Sequence, residues 1–304
     1  MCVFQEEDRM NAHALDVFEA LRQSPHARLE QQAALGDGLA AAVWNNRNDA
    51  RHYQAPAHHT LSCYMAGGTG THRRGQPGLN GAPGKLCVLP AGHDSAWVIN
   101  GPIRLAHLYF SEEQFALSCI ALFDREPRAL ALQEKTYVDD PEQAGHFSRL
   151  IGLNWHEPAE RLLTSGLAHE LLNQALLRQV APKAAPQVKG GLAPAQRRHV
   201  LDYIESHLAA PLSLGELAAV CHLSPFHFAR MFRLSLGVPP HRYVLARRLS
   251  SARRRLADRQ QPLGEIALAC GFASPSHFSS RFRQAMGATA AAYRAALGVQ
   301  QAMP

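Results

Sequence analysis

The sequence holds no continuous apolar run of the roughly 20 residues that a membrane-spanning helix needs, although 46 % of its 304 residues are hydrophobic. Glu6, Glu7, Asp8 and Arg9 stand where a secretory signal requires an apolar segment. The six cysteines, at 2, 63, 87, 119, 221 and 270, form no Cys-x-x-Cys pair. Scattered thiols argue against a disulfide framework and fit a reducing compartment. These absences lead to the expectation of a cytoplasmic protein with no membrane partner. Acidic residues are missing between Asp49 and Asp94, and lysine is missing from residue 194 onward.

The lysine-free stretch carries 14 arginines against five acidic residues, a net charge of +9, whereas residues 1–193 sum to −3. A basic region joined to a mildly acidic one implies a polyanionic partner for the C-terminal region alone. Within this basic region a single pattern occurs twice. Leu214-Gly215-Glu216-Leu217-Ala218 reaching Cys221 returns as Leu263-Gly264-Glu265-Ile266-Ala267 reaching Cys270, at an offset of 49. One residue is then gained in the turn, where His222-Leu223 becomes Gly271-Phe272-Ala273. At an offset of 50, Ser224-Pro225, His227-Phe228 and Phe232-Arg233 meet Ser274-Pro275, His277-Phe278 and Phe282-Arg283. Gly237 and Tyr243 meet Gly287 and Tyr293. A duplicated structural unit is the reading.

Each unit predicts a short helix, a tight turn and a second helix. Leu214, Leu217, Ala218 and Cys221 share one helical face, and Ser213 with Glu216 makes a capping box. Ser224 caps the next helix with Pro225 at its first position. Phe228, Met231 and Phe232 form its buried stripe, and Gly237 ends it. This is a helix-turn-helix, whose second helix enters the major groove of DNA. Pro240 to Arg259 predicts a connecting helix with Tyr243, Val244, Leu249, Ala252 and Leu256 on one side and arginines on the other. About 20 residues would span roughly 30 Å, close to one turn of DNA.

Residues 194–297 resemble the tandem DNA-binding domain of the AraC/XylS family of bacterial transcription regulators. The resemblance rests on Ser224-Pro225-x-His227-Phe228-x-Arg230-x-Phe232-Arg233, Arg248-Leu249-x-x-Ala252-Arg253, Ile266-Ala267-x-x-x-Gly271-Phe272 and Ser276-x-Phe278-x-x-x-Phe282-Arg283, with Gly287 and Tyr293-Arg294. Ala288-Thr289-Ala290 departs from the family's Ser-Pro after the glycine, and Ser280 stands where relatives often carry arginine. The resemblance implies double-stranded DNA and RNA polymerase as partners, an activator, and a homodimer. It places Phe226, His227 and Arg230 on the exposed side of the first reading helix. Arg230 is the expected reader of a guanine, and Pro225 and Phe226 fit thymine methyl groups. In the second unit Pro275, Ser276, Ser279 and Ser280 are expected to be exposed, a weakly charged face. Arg233, Arg281 and Arg283 are phosphate candidates, with solvated charge as the alternative for Arg233. His227, like its counterpart His277, is read as either a phosphate contact or a structural residue.

Upstream, residues 11–23 predict an amphipathic helix. Leu39–Trp44, Thr60–Ala66, Lys85–Leu89, Ala96–Ile99 and Ile103–Phe110 predict short strands, separated by Gly67-Gly68, Gly75 to Gly84, Pro90-Ala91-Gly92 and Gly101-Pro102. Such closely spaced strands suit a sandwich or barrel. Pro90-Ala91-Gly92-His93 followed by Trp97 resembles the cupin-like effector domains in front of many AraC-family regulators. The expected fold class is α+β: a cupin-like β-barrel with helices, then an all-α domain of two helix-turn-helix units joined by a long helix. The expected domains are 1–180 for sensing and dimerisation, 181–193 as a Pro/Gly linker, and 194–298 for DNA. A small-molecule effector is expected inside the barrel, contacted by Tyr64, His72, Trp97, His107 and Tyr109. The leucine stripe from Leu162 to Leu176 fits either a dimer interface or packing on the chain's own barrel.

No catalytic residue, metal site or cofactor is expected. A metal cupin enzyme would need His-x-His on one strand and a nearby carboxylate, yet His58 and His59 are adjacent and point to opposite faces. A three-histidine set of His59, His72 and His107 is the alternative. A DNA alkyl-transfer repair regulator would need a Pro-Cys-His-Arg motif that the sequence lacks. The remaining rival is an effector-independent DNA-binding protein whose front domain only dimerises.

Overall fold

Two long bent strands organise the first half of the chain in the computed structural model, which describes residues 16–183 and 189–300. A short helix, α1 (Asp16–Arg22), precedes β1 (Ala27–Gly36), β2 (Leu39–Tyr53), β3 (His58–Gly67), β4 (Gly70–Arg73), β5 (Lys85–Leu89) and β6 (Ser95–Ser111). Then come α2 (Glu112–Phe123), β7 (Leu130–Leu132), β8 (Lys135–Asp139), α3 (Pro141–Ile151), α4 (Pro158–Gln179) and β9 (Val180–Pro182). The main sheet is antiparallel with the order β1-β2-β6-β3-β5-β8, and β4 lies beside β6. Strands β7 and β9 pair separately. The α+β class is as expected.

The sequence read β6 as two strands parted by Gly101-Pro102, and the structure corrects this. Gly101 adopts φ 84° and Asn48 opposite it φ 53°, and the pairing of β2 with β6 slips by one residue there. The Asn48 Oδ1 accepts the Gly101 N–H at 2.7 Å. A β-bulge therefore bends one continuous strand where Gly-Pro alone suggests a turn. Alternate side chains of the sheet build a core of Ala40, Ala42, Trp44, Tyr64, Leu105 and Tyr109, on which Val17, Phe18 and Leu21 of α1 also pack. Ala14 and Leu15 of the expected first helix lie outside the described residues.

Residues 39–44 and 105–110 are buried without alternation, so the opposite face of the sheet is covered too. Helix α4 lies along β1, where Ser165 Oγ donates to the Leu35 carbonyl at 2.9 Å. Leu162, Leu167, Leu171, Leu172, Ala175 and Leu176 are buried within the chain. The leucine stripe is thus covered within the chain.

The chain divides into two compact units. One runs to Gln114 and adds Leu132–Val180; the other joins Phe115–Ala131 to the residues from Ala181 on. The sequence expectation placed 115–131 in the first domain, whereas packing groups it with the second unit. There Ala116, Leu117 and Ile120 of α2 enter a core with Val200, Phe228 and Phe232. Among the described residues no helix is long and apolar enough to cross a membrane.

The second unit is otherwise helical: α5 (Pro194–Ser206), α6 (Leu214–Val220), α7 (Pro225–Leu236), α8 (Pro240–Arg255), α9 (Leu263–Ala269), α10 (Pro275–Met286) and α11 (Ala290–Gln300). It has two cores. Phe228, Phe232, Tyr243 and Val244 belong to the first; Leu249, Ala252, Phe278 and Phe282 belong to the second. Helix α8 divides its apolar stripe between them. It is 16 residues long, roughly 24 Å, and shorter than the sequence suggested. Asp258 accepts the Gln260 N–H at 2.9 Å and Pro262 follows, so the chain turns off after Arg255.

Candidate nucleic-acid interface

Local chemistry fixes both reading helices. Ser213 and Glu216 form the expected capping box on α6: Ser213 Oγ accepts the Glu216 N–H at 3.1 Å, and Glu216 Oε2 accepts the Ser213 N–H at 2.7 Å. Ser224 caps α7 by accepting from the His227 N–H, and Ser274 does the same for α10 with His277. Pro225 and Pro275 open those helices, and Gly237 and Gly287 close them in the left-handed region at φ 74° and 69°. Phe228 and Phe232 point inward in α7, and Phe278 and Phe282 in α10, all at most 1 % exposed. Burying one face fixes the other.

The outward face of α7 presents Pro225, Phe226, His227, Arg230 and Arg233. Phe226 is 82 % exposed, an unusual state for an aromatic side chain. The outward face of α10 presents Pro275, Ser276, Ser279, Ser280, Arg281 and Arg283. Arg281 is partly engaged, donating to Gln284 at 3.1 Å. The ring of His277 meets Phe272 edge-on at 5.8 Å. Every residue that the sequence assigned to this interface is exposed; each face carries two arginines, and α10 has Ser276 and Ser280 where α7 has Phe226 and Arg230.

Other arginines serve the fold. Arg247 makes a two-point ion pair with Glu205 at 2.6 and 2.9 Å. Arg248 donates to the carbonyls of Leu208 at 3.0 Å and Ala210 at 2.7 Å, and its burial pulls its pKa below the ordinary arginine value. Arg294 donates to the Gln261 carbonyl at 2.7 Å. Arg230, Arg233 and Arg283 have no such partner among the described residues, so their guanidinium groups remain available to phosphate or base edges.

Residues 217–296 match the family model described as a helix-turn-helix domain. They form an AraC-type helix-turn-helix domain. The probable transcriptional regulator LumQ of Photobacterium leiognathi is 41 % identical over 93 residues, 31 % of this chain and 38 % of LumQ. The regulatory protein PocR of Salmonella typhimurium is 24 % identical over 294 residues, 88 % of this chain and 92 % of PocR. The DNA-binding domain of AdpA, solved in complex with a target DNA, is 31 % identical over 35 % of this chain and 96 % of its own, with a TM-score of 0.34. The match to LumQ thus spans well under half of that relative's length.

In the unit that accompanies the AraC-type domain, the core of the sheet holds a cavity of about 30 Å³. Tyr64, Trp97 and His107 line it, together with Tyr53, Ser62 and Thr71, which the sequence did not single out. Tyr109 is buried beside it and its hydroxyl meets His107 Nδ1 at 2.9 Å and Trp44 Nε1 at 3.1 Å. His72 is not part of this wall. It is half-buried, and on β4 the side chain alternates to the face opposite Thr71. Burial pushes the His107 imidazole down to about 3, so it is neutral at physiological pH. The Thr71 hydroxyl is buried without a partner. A space of this size holds about one water.

The histidine set considered for a metal is dispersed among other tasks. His59 Nδ1 accepts the Ala91 N–H at 3.0 Å and its Nε2 lies 3.4 Å from Glu112. Arg73 of β4 is ion-paired with Glu134 at 2.6 Å.

Proposed function

We propose that the protein is a sequence-specific DNA-binding transcription regulator, acting as a cytoplasmic homodimeric activator that recruits RNA polymerase rather than as an enzyme. The observation that carries this reading is the pair of Ser-Pro-capped helices, α7 and α10, in a region of net charge +9. Each is anchored by two buried phenylalanines and turns its polar face outward. Arg230 reads a guanine, Pro225 and Phe226 meet thymine methyl groups, and Arg233, Arg281 and Arg283 hold phosphates. His227, Pro275, Ser276, Ser279 and Ser280 complete the contact surface.

The N-terminal unit holds the effector around Tyr64, Trp97, His107 and Tyr109, and the occupied state shifts the population that binds or activates. Its cavity has no charged side chain in its wall, which favours an uncharged ligand, because an unpaired ion there would lose its hydration without compensation. At about 30 Å³ the space must widen to admit one.

The test is selection of bound sequences from a random DNA pool with wild type and Arg230→Ala in parallel. The expected wild-type motif has two blocks about one helical turn apart. In the variant one block relaxes, by about 1–3 kcal/mol of discrimination, while the other is kept. Relaxation of both blocks, or of neither, would overturn the role given to Arg230. Failure of wild type to enrich any sequence, with or without a metabolite mixture, would overturn the DNA-binding reading itself.

A further inference from the structure

The two helix-turn-helix repeats differ at one backbone position. In each, the residue that turns the chain out of the first helix adopts a left-handed conformation, His222 at φ 55° and Gly271 at φ 80°. His222 is exposed, and the first repeat tolerates a whole imidazole there. The second has no such room. A Cβ on Gly271 would lie 2.1 Å from the Leu208 carbonyl oxygen and 2.8 Å from Arg248 Nε.

Leu208 belongs to the first half of the domain, packed against the core that α7 anchors. Gly271 belongs to the second half, in the turn that leads to α10. Arg248 lies on α8 between Val244, a member of the first core, and Leu249, a member of the second. Its guanidinium donates to Leu208 at 3.0 Å and Ala210 at 2.7 Å. These two carbonyls lie between α5 and α6 and have no place in either helix. One arginine thus bonds the first repeat, and the turn of the second is pressed on the same carbonyl.

We infer that Arg248, clamped on the Leu208 and Ala210 carbonyls against Gly271, is a positioning residue that fixes the separation and rotational phase of the two reading helices. The inference rests on the DNA-binding reading above. Its consequence is a fixed spacing between the two DNA blocks. Each inserted base pair moves the second block by about 3.4 Å and rotates it by roughly 35°, and two rigidly joined helices cannot follow both changes. A loosened pair can. Arg248 touches no base in this scheme. It acts through the angle between α7 and α10.

The experiment uses the full-length protein and duplexes built from the selected motif, with zero, one, two or five base pairs inserted between the blocks, and one duplex with the first block alone. Wild type is expected to lose on the order of 100-fold in affinity at two inserted pairs, and to bind that duplex no better than the single block. Arg248→Ala should lose affinity for the uninserted duplex yet show no more than a few-fold penalty for insertion. Its binding to the single block should be unchanged, which also reports that the first repeat is folded. Arg248→Lys, able to reach one carbonyl but not fork to both, should fall between. A full 100-fold insertion penalty in Arg248→Ala would overturn the inference while leaving DNA binding intact. So would a uniform loss on every duplex including the single block, with Arg248→Lys equally weak, because that marks Arg248 as a support of the fold alone. If wild type binds none of these duplexes, the underlying function fails and the inference falls with it.

Discussion

The two repeats of the helical unit share a sequence pattern and diverge in how they use it. The first has a complete capping box, an exposed His222 in its turn, and a reading helix bearing Phe226, Arg230 and Arg233. The second has Pro262 where Ser213 stands, Gly271 for His222, and Ser276 and Ser280 where Phe226 and Arg230 stand. Buried positions are nearly identical, Phe228 with Phe278 and Phe232 with Phe282, because both helices must fill the same kind of core. Buried positions differ mostly between apolar residues, as at Leu217 and Ile266 or Leu236 and Met286, and the larger changes fall on the outward faces and in the turn. Duplication therefore kept the packing and released the outward faces to different jobs. The first repeat carries the richer chemistry for bases, and the second carries the contact that joins the two halves.

The sharpest way to break this comparison is at the turn. Gly271→Ala places a methyl group against the Leu208 carbonyl in a backbone region that L-residues enter at a cost. The helical unit should lose about 2–4 kcal/mol, with its thermal midpoint falling on the order of 10 °C. His222→Gly at the equivalent position relieves about 1 kcal/mol of backbone strain and loosens the unfolded chain by a similar amount, so its midpoint should hardly move. Thermal denaturation followed by circular dichroism checks both. Equal losses at the two sites would show that the asymmetry lies elsewhere than in the close approach of Leu208.

A smaller effect should come from restoring charge to the second reading helix. Ser280 is the counterpart of Arg230 and is exposed, so Ser280→Arg adds a forked donor where the first repeat already has one. Sequence selection should then show a sharpened second block, gaining about 1–3 kcal/mol of discrimination at one or two positions. If affinity rises evenly for all sequences and becomes steeper in salt, the new side chain has found phosphate instead, and the outward faces of α7 and α10 are not equivalent in their approach to DNA.

Features encoded locally were legible in the sequence. Ser224-Pro225 and Ser274-Pro275, the phenylalanines four apart and the closing glycines each specify their own few residues of backbone, so helix starts, stops and buried faces could be read before any contact was known. Strand β5 was placed at its observed ends for the same reason. Where geometry depends on distant residues the sequence was silent or misleading. Gly101-Pro102 bends a strand only because Asn48 opposite completes the bulge. Strand β1 exposes Arg28, Glu30 and Gln32 and half-buries Ala27, Leu29, Gln31 and Ala33, so with only one large apolar side chain among the inward four its alternation carries little apolar signal. At the cavity Tyr64, Trp97 and His107 lie in the wall, whereas Thr71 takes the inward place on β4 and His72 does not, because one-residue phase on a four-residue strand cannot be judged alone. The contacts of residues 115–131 and of Arg248 were invisible for the same reason, being formed with partners far along the chain.

The finest distinction between the repeats lies at their first helices. Ser213 and Glu216 bond each other's backbone N–H groups, and the Ser213 N–H holds the Glu216 carboxyl below the ordinary carboxylate range. Ser213→Ala should cost about 1 kcal/mol. Because the folded pKa of Glu216 is depressed, the bond it makes is present at neutral pH and is lost as pH falls through the carboxylate range. The second repeat keeps Glu265 but presents Pro262, which has no N–H for it to accept and makes no side-chain cap. Pro262→Ser would supply both the hydroxyl and the N–H, a gain of about 1 kcal/mol. It would also remove a proline whose stiffness stabilises by about 0.4–1 kcal/mol through the unfolded chain. The two nearly cancel, so urea denaturation at pH 7 should find Pro262→Ser within about half a kcal/mol of wild type. A variant clearly more stable than wild type at pH 7 would mean that the second repeat lacks its cap for a reason other than this balance.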